Sequence, residues 1–224
     1  GLHGFLDPIA QIECIEIIGV TATKITGTLN SLASCINLRQ LSIGNTDIDG
    51  TMEFLSQCTD LMSLSAVCCF NLHGPLDPLR CCLKLQKIDI AMTHISGTLD
   101  ALSSCKNLET LNAANCGDIE GTLEPLLNCP ILTTVDLSDC KKLTGKLNVL
   151  LSHKSLIRLN VNSCSEIFGD TCGFDSIELK INGTKIKDVN KTPEQVVMLR
   201  RGRSPVVNDF LKNKLDSVTS YFSK

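Results

Sequence analysis

The sequence predicts an α/β solenoid, a stack of short similar coils in which each coil adds one strand to a parallel sheet. Three observations predict it. The stretch Ile25 to Asp47, ITGTLNSLASCINLRQLSIGNTD, recurs along the chain, and aligning the copies on their Gly gives starts at Leu2, Ile25, Ile48, Leu72, Ile95, Ile119, Leu143 and Ile167. A fixed period of 23 or 24 residues marks a repeat architecture before any single residue is weighed. Within each copy, apolar and polar residues alternate over a short run, the period of a strand with one face buried. The composition is 43% hydrophobic but only 4% aromatic with no Trp, so the core is predicted to be aliphatic side chains stacked in register.

The strand comes from the segment L-x-x-L-x-L, which reads Leu38, Leu41, Ile43 in the second copy and Leu156, Leu159, Val161 in the seventh. Equivalent strands of successive copies are expected to pair in parallel. A turn follows, at a position that reads Thr23, Thr46, Cys69, Thr93, Cys116, Cys140, Cys164 and Thr184. Every Thr is followed by one residue before the next copy, every Cys by two. The shorter turn is expected to leave a carbonyl for the hydroxyl to satisfy, the longer one to sink a thiol into apolar surroundings. The half that reads I-x-G-T-L-x-x-L-x-x-C then returns across the other side, its Gly permitting a tight bend. Seven copies are complete. The eighth, Ile167 to Lys185, has lost most of its returning half, as a terminal coil does when it caps an array. After it, Thr192-Pro193-Glu194-Gln195 reads as a helix start, and Val207, Leu211, Leu215, Val218 and Phe222 recur at helical spacing. The domain reading is a solenoid over residues 1–186 and a basic, helical cap or tail over 187–224.

The pattern L-x-x-L-x-L-x-x-(T/C)-x-(I/L) resembles the leucine-rich repeat. The G-T-L-x-x-L that follows is similar to the plant-specific style of that repeat, with Leu where the style has Ile-Pro and Thr or Cys where the family has Asn. Over residues 2–186 the resemblance implies a right-handed superhelix whose parallel sheet lines a concave face, and a binding role whose partner it does not name.

Net charge is −3, unevenly spread. The segment from Lys187 onward holds eight Lys and Arg against four Asp and Glu, so it carries +4 and the preceding residues −7, which together make the −3. No run nears the roughly 18 apolar residues that span a bilayer, and no charged leader with an apolar stretch is visible. Of thirteen Cys, Cys35, Cys58, Cys82, Cys105 and Cys129 occupy one inward repeat position and Cys69, Cys116, Cys140 and Cys164 another. They read as reduced core fillers, which favours a cytoplasmic site; Cys68 and Cys81 are the thiols expected at the surface. The sequons Asn182-Gly-Thr and Asn190-Lys-Thr support the alternative of an extracellular or cell-surface recognition domain. There is no C-x-x-C, no phosphate-cradling loop, and no convergence of His3, His73, His94 or His153 with a nucleophile. No catalytic residue, metal, cofactor or small-molecule substrate is therefore assigned. Nucleic acid or another anionic surface would have to bind through Arg200, Arg201 and Arg203, which lack interleaved aromatics; Ser204 beside them is a candidate phosphosite at a helix start.

Alternation makes the outward columns of the sheet computable. The middle column becomes a stripe of Asp and Asn from the fourth copy on, and Lys87, Asp89, Asn112, Asp136, Arg158 and Asn160 are the predicted contact area for a protein partner. No Phe or Tyr lies in these columns; Phe5 and Phe70 are the aromatic candidates elsewhere, with packing between coils as their other role.

Overall fold

A computed structural model describes residues 3–12 and 14–187 of the 224-residue chain. The tail expected from the sequence to be helical, with Arg200, Arg201, Arg203, Ser204 and Asn190, lies outside the described residues.

Each copy forms one coil. Its L-x-L segment is a three-residue strand, and eight such strands pair in parallel: Ile17–Gly19, Gln40–Ser42, Ser63–Ser65, Lys87–Asp89, Thr110–Asn112, Thr134–Asp136, Arg158–Asn160 and Glu178–Lys180. Register is repeat on repeat, so Leu41 faces Leu64, Leu64 faces Ile88, and Ile88 faces Leu111. The middle residue of each strand points inward into one continuous core, where Leu38, Leu41, Ile43, Leu61 and their counterparts are wholly buried. Burial of such an aliphatic column stabilises by about 1.5–3 kcal/mol per Leu or Ile, and because each coil repeats it, stability grows with coil number.

The returning half is more ordered than a bend. It forms a second parallel strip on the opposite side, with His73–Pro75, His94–Thr98, Asp118–Gly121, Lys142–Lys146, Glu166–Asp170 and Lys185–Lys187 in one six-stranded sheet and His3–Phe5 paired with Lys24–Thr26. The bridges Thr28 to Asp49 and Gly50 to Leu72 carry the pairing between them. The repeat Gly lies inside this strip with positive φ, +101° at Gly50, where a Cβ would stand 2.5 Å from the Thr28 hydroxyl. The Gly thus permits both the backbone twist and the close approach of the preceding coil. After it, single 3-10 turns such as Leu29–Ser34, Asp77–Cys81 and Leu147–Ser152 bring the chain back, each burying two apolar residues against the core.

The shortened eighth coil has no such turn between Asp170 and Glu178. Two backbone bonds, Phe174 N to Thr171 O and Ile177 N to Phe174 O, replace it, and Phe174 is buried beneath them. The core is therefore not purely aliphatic: Phe54 and Phe174 both belong to it. Ion pairs tie neighbouring coils together outside, among them Lys84 to Asp60 at 2.6 Å and Lys142 to Asp118 at 2.7 Å.

The turn position resolves into two hydrogen-bonding solutions. In the short turns the Thr hydroxyl donates to the carbonyl three residues back, as in Thr46 to Ile43 at 2.6 Å and Thr93 to Ile90 at 2.8 Å. At Thr23 and Thr184 it also accepts from the amide two residues on, so the side chain stands in for one residue of turn. In the long turns the backbone closes the turn unaided, Leu72 N donating to Cys69 O and Ile119 N to Cys116 O at 3.1 Å. The Cys amide takes the carbonyl three residues back, and the thiol donates to the preceding coil instead, Cys69 to Ile43 O and Cys116 to Ile90 O, both at 3.0 Å. Hydrogen bonding separates Thr from Cys as expected. Burial does not, since Thr46 and Thr93 are 6% and 3% exposed beside fully buried Cys69 and Cys116.

Candidate binding face

The outward residues of the eight-stranded sheet form three columns, because strand residues alternate and the bonds between coils continue past each strand, as from Asn45 N to Val67 O at 2.8 Å. Lys87, Asp89, Asn112, Asp136, Arg158 and Asn160 lie on four successive strands of this one face, with Asp89, Asn112, Asp136 and Asn160 in direct cross-strand register. Much of the stripe's hydrogen-bonding capacity is used within the sheet. The Asn112 amide donates to Asp89 at 3.0 Å and the Asn160 amide to Asp136 at 2.8 Å. Each side chain also accepts from the backbone amide two residues on: Ala91 to Asp89, Ala114 to Asn112, Ser138 to Asp136 and Asn162 to Asn160. The stripe is thus a ladder that shapes the turn and links coils in pairs. Arg158 is held by Glu178 of the next strand at 2.7 Å. Lys87 is exposed and makes no ion pair among the described residues.

Asp89 is half-buried. Burial pushes its carboxyl above the ordinary value, the charge of Asp136 adds to the effect, and the Ala91 and Asn112 amides oppose it. Asn182, at the last strand, is exposed, and its sequon partner Thr184 spends its hydroxyl on Ile181 O at 2.6 Å.

The third column is small and apolar over four coils: Gly44, Val67, Ala91 and Ala114. The residue after it is in the left-handed region in every coil, with φ of +55° at Asn45, +58° at Cys68, +59° at Met92 and +59° at Asn115. This conformation turns Cys68 and Met92 outward at the sheet's edge, with the Cys68 thiol 3.5 Å from the Met92 sulfur. Phe70 follows in the same turn and is 61% exposed; Met92 is 45% exposed. Phe5 is likewise open to solvent. The sequence reading passed over Met92. Its one available signal was alignment with Asn45 and Asn115, residues that tolerate a left-handed turn.

The cysteine columns lie behind the face. Cys58, Cys82 and Cys129 donate to carbonyls of the preceding coil at 3.4–3.5 Å. Burial pushes Cys58, Cys129 and Cys164 up to about 11 and Cys82 and Cys105 up to about 12. Cys14, Cys81 and Cys172 are the exposed thiols, with Cys68 partly so. His153 replaces the column Cys in the seventh coil and donates from Nε2 to Cys129 O at 2.8 Å. Among the described residues, no group of three or more His, Cys, Asp or Glu is gathered as a metal site would require.

No protein-family model matches the chain, and no curated protein matches it in sequence. Its fold matches solved structures. A plant peptide hormone receptor, RGFR1 in complex with RGF2, matches at 18% identity and a TM-score of 0.64, over 83% of this chain and 35% of the receptor chain. The Arabidopsis receptor kinase HAESA, solved with the peptide hormone IDA and the co-receptor SERK1, matches at 23% identity and 0.65, over 80% and 31%. A plant ice-binding protein matches at 21% identity and 0.59, over 77% and 57%. The chain spans about a third of the length of the two receptor chains.

Proposed function

From the premise that the chain is a leucine-rich-repeat protein, we propose that it is a non-enzymatic binding module which takes a protein or peptide partner on its eight-stranded face. One observation supports this above the others. Inward positions stay apolar from coil to coil, as at Leu41, Leu64, Ile88 and Leu111, whereas the outward columns change in charge and polarity on a hydrogen-bonded frame. A frame that is uniform inside and varied on one outer face is suited to recognition. The peptide hormone complexes of RGFR1 and HAESA support a partner of this class. The ice-binding protein is a reminder that the fold alone does not choose the ligand.

Of the two settings weighed from the sequence, the extracellular one accords better with the receptor likenesses. The thiol argument for the cytoplasm loses its force in this fold. A cysteine that is buried, protonated to about pH 11 or beyond and bonded to a carbonyl is a poor partner for exchange in any compartment. In that setting Asn182 is an exposed glycan acceptor at the end of the binding face.

The test is a pull-down from native extract with Thr110→Arg on the eight-stranded face and Glu120→Arg on the opposite strip. The first variant is expected to lose the partner and the second to keep it. The reverse pattern would place recognition on the opposite strip and overturn the proposal.

A further inference from the structure

The edge of the eight-stranded face carries an apolar patch in which Phe70 and Met92 are exposed, Val67 and Cys68 are partly so and Ala91 is buried. Val67, Cys68 and Phe70 come from one coil and Ala91 and Met92 from the next, joined by the backbone bond from Cys68 N to Ala91 O at 2.9 Å and by the sulfur contact between Cys68 and Met92. Exposed aromatic and Met side chains beside small residues let a partner's backbone come close and give it a surface to bury. Gly44 and Ala114 extend the shallow floor to four coils, about 15 Å at the spacing of neighbouring strands.

Charge identifies the occupant. Asp89 sits beside this floor, two residues before Ala91 in the same coil. Its Oδ1 is shared between the Ala91 and Asn112 amides, but no cation neutralises the group: its strand neighbour Lys87 forms no ion pair with it among the described residues. Asp136, two strands on, adds a second negative charge, within a solenoid of net charge −7 over residues 1–186. A cation placed at Asp89 would relieve the cost of holding a half-buried carboxylate.

Resting on the reading of this face as the binding surface, we infer that the edge formed by Val67, Phe70, Ala91 and Met92 with Asp89 receives an extended peptide carrying a basic residue within one or two positions of a large apolar one. At about 3.3–3.6 Å per residue, four or five residues cross the patch along the solenoid, which sets that short separation. The apolar side chain rests on Phe70 and Met92, and the ammonium or guanidinium meets Asp89.

The experiment pans the whole chain against a phage-displayed library of random linear dodecapeptides and measures the selected synthetic peptides by fluorescence anisotropy. Enriched sequences are expected to pair Arg or Lys with an aliphatic or aromatic residue. Phe70→Ser and Met92→Ser, each at the surface, are expected to weaken binding about tenfold. Asp89→Asn should remove most of its salt dependence, and Lys87→Glu should tighten it about threefold. Enrichment of acidic peptides, or binding indifferent to Phe70→Ser and Met92→Ser but abolished by Thr110→Arg, would overturn the inference and leave the broader reading of the face standing. No selectable peptide, or peptides lost only with Glu120→Arg, would overturn both.

Discussion

In the seven complete coils, Thr at the turn position goes with 23 residues and Cys with 24. Thr93 donates to Ile90 O, which also receives the Cys116 thiol of the next coil. Thr93→Val removes the stronger of these two donors from a buried carbonyl and is expected to cost about 1 kcal/mol in urea unfolding, rising when combined with Cys116→Ala because the carbonyl is then left with no side-chain donor. Asp89 supplies a pH-dependent counterpart. Its folded pKa is raised, so the fold favours the protonated form, and stability present at low pH is lost as pH rises through the folded value. Asp89→Asn keeps the acceptor for Ala91 and Asn112 while removing the charge. It should therefore raise the melting temperature at pH 7 and leave it unchanged near pH 3, where the wild-type carboxyl is already neutral; an equal gain at both values would refute the assignment. At this scale the sequence was only partly legible. The sorting of Thr and Cys by turn length was visible in the spacing. That the Asp and Asn residues bond to one another and to the next turn was not, because it depends on rotamers and on the left-handed residue that follows the third column.

The strands that face the core were legible because their alternation leaves no second choice of face: shifting Leu41, Leu64 or Ile88 by one residue would expose every one of them. The opposite strip was not, since its pairing runs through Gly, which carries no side-chain pattern, and through Thr, which suits strand and turn alike. Two substitutions separate the two reasons for that Gly. Gly50→Ala meets both a positive φ and the Thr28 hydroxyl at 2.5 Å, whereas Gly121→Ala meets a positive φ with Thr98 no nearer than 3.4 Å. Both should destabilise, by about 1–2 kcal/mol for the conformation alone, with Gly50→Ala the costlier; equal losses in a denaturant titration would mean that the close approach contributes nothing.

Across the described coils, the same linear stacking that makes the fold readable makes its function hard to read, because every coil satisfies the core in a similar way and recognition is left to the outward columns. It also concentrates the buried thiols. Folded values near 11 and 12 lie above the ordinary 9, so the fold favours the protonated thiol. Stability is complete below about pH 9 and is lost as pH rises through the folded values, once an unfolded chain can ionise its cysteines. An alkaline titration followed by circular dichroism should show unfolding in that window, shifted upward when Cys82 and Cys105 are replaced by Ala. No shift would show that the columns do not govern alkaline stability. The claim on which the rest depends is that the eight-stranded face is where the partner binds. Photo-crosslinking tests it most directly, with a benzophenone amino acid placed at Thr110 on that face or at Thr144 on the opposite strip. Capture of the partner from Thr110 and not from Thr144 is the expected result, and capture from Thr144 alone would contradict the account.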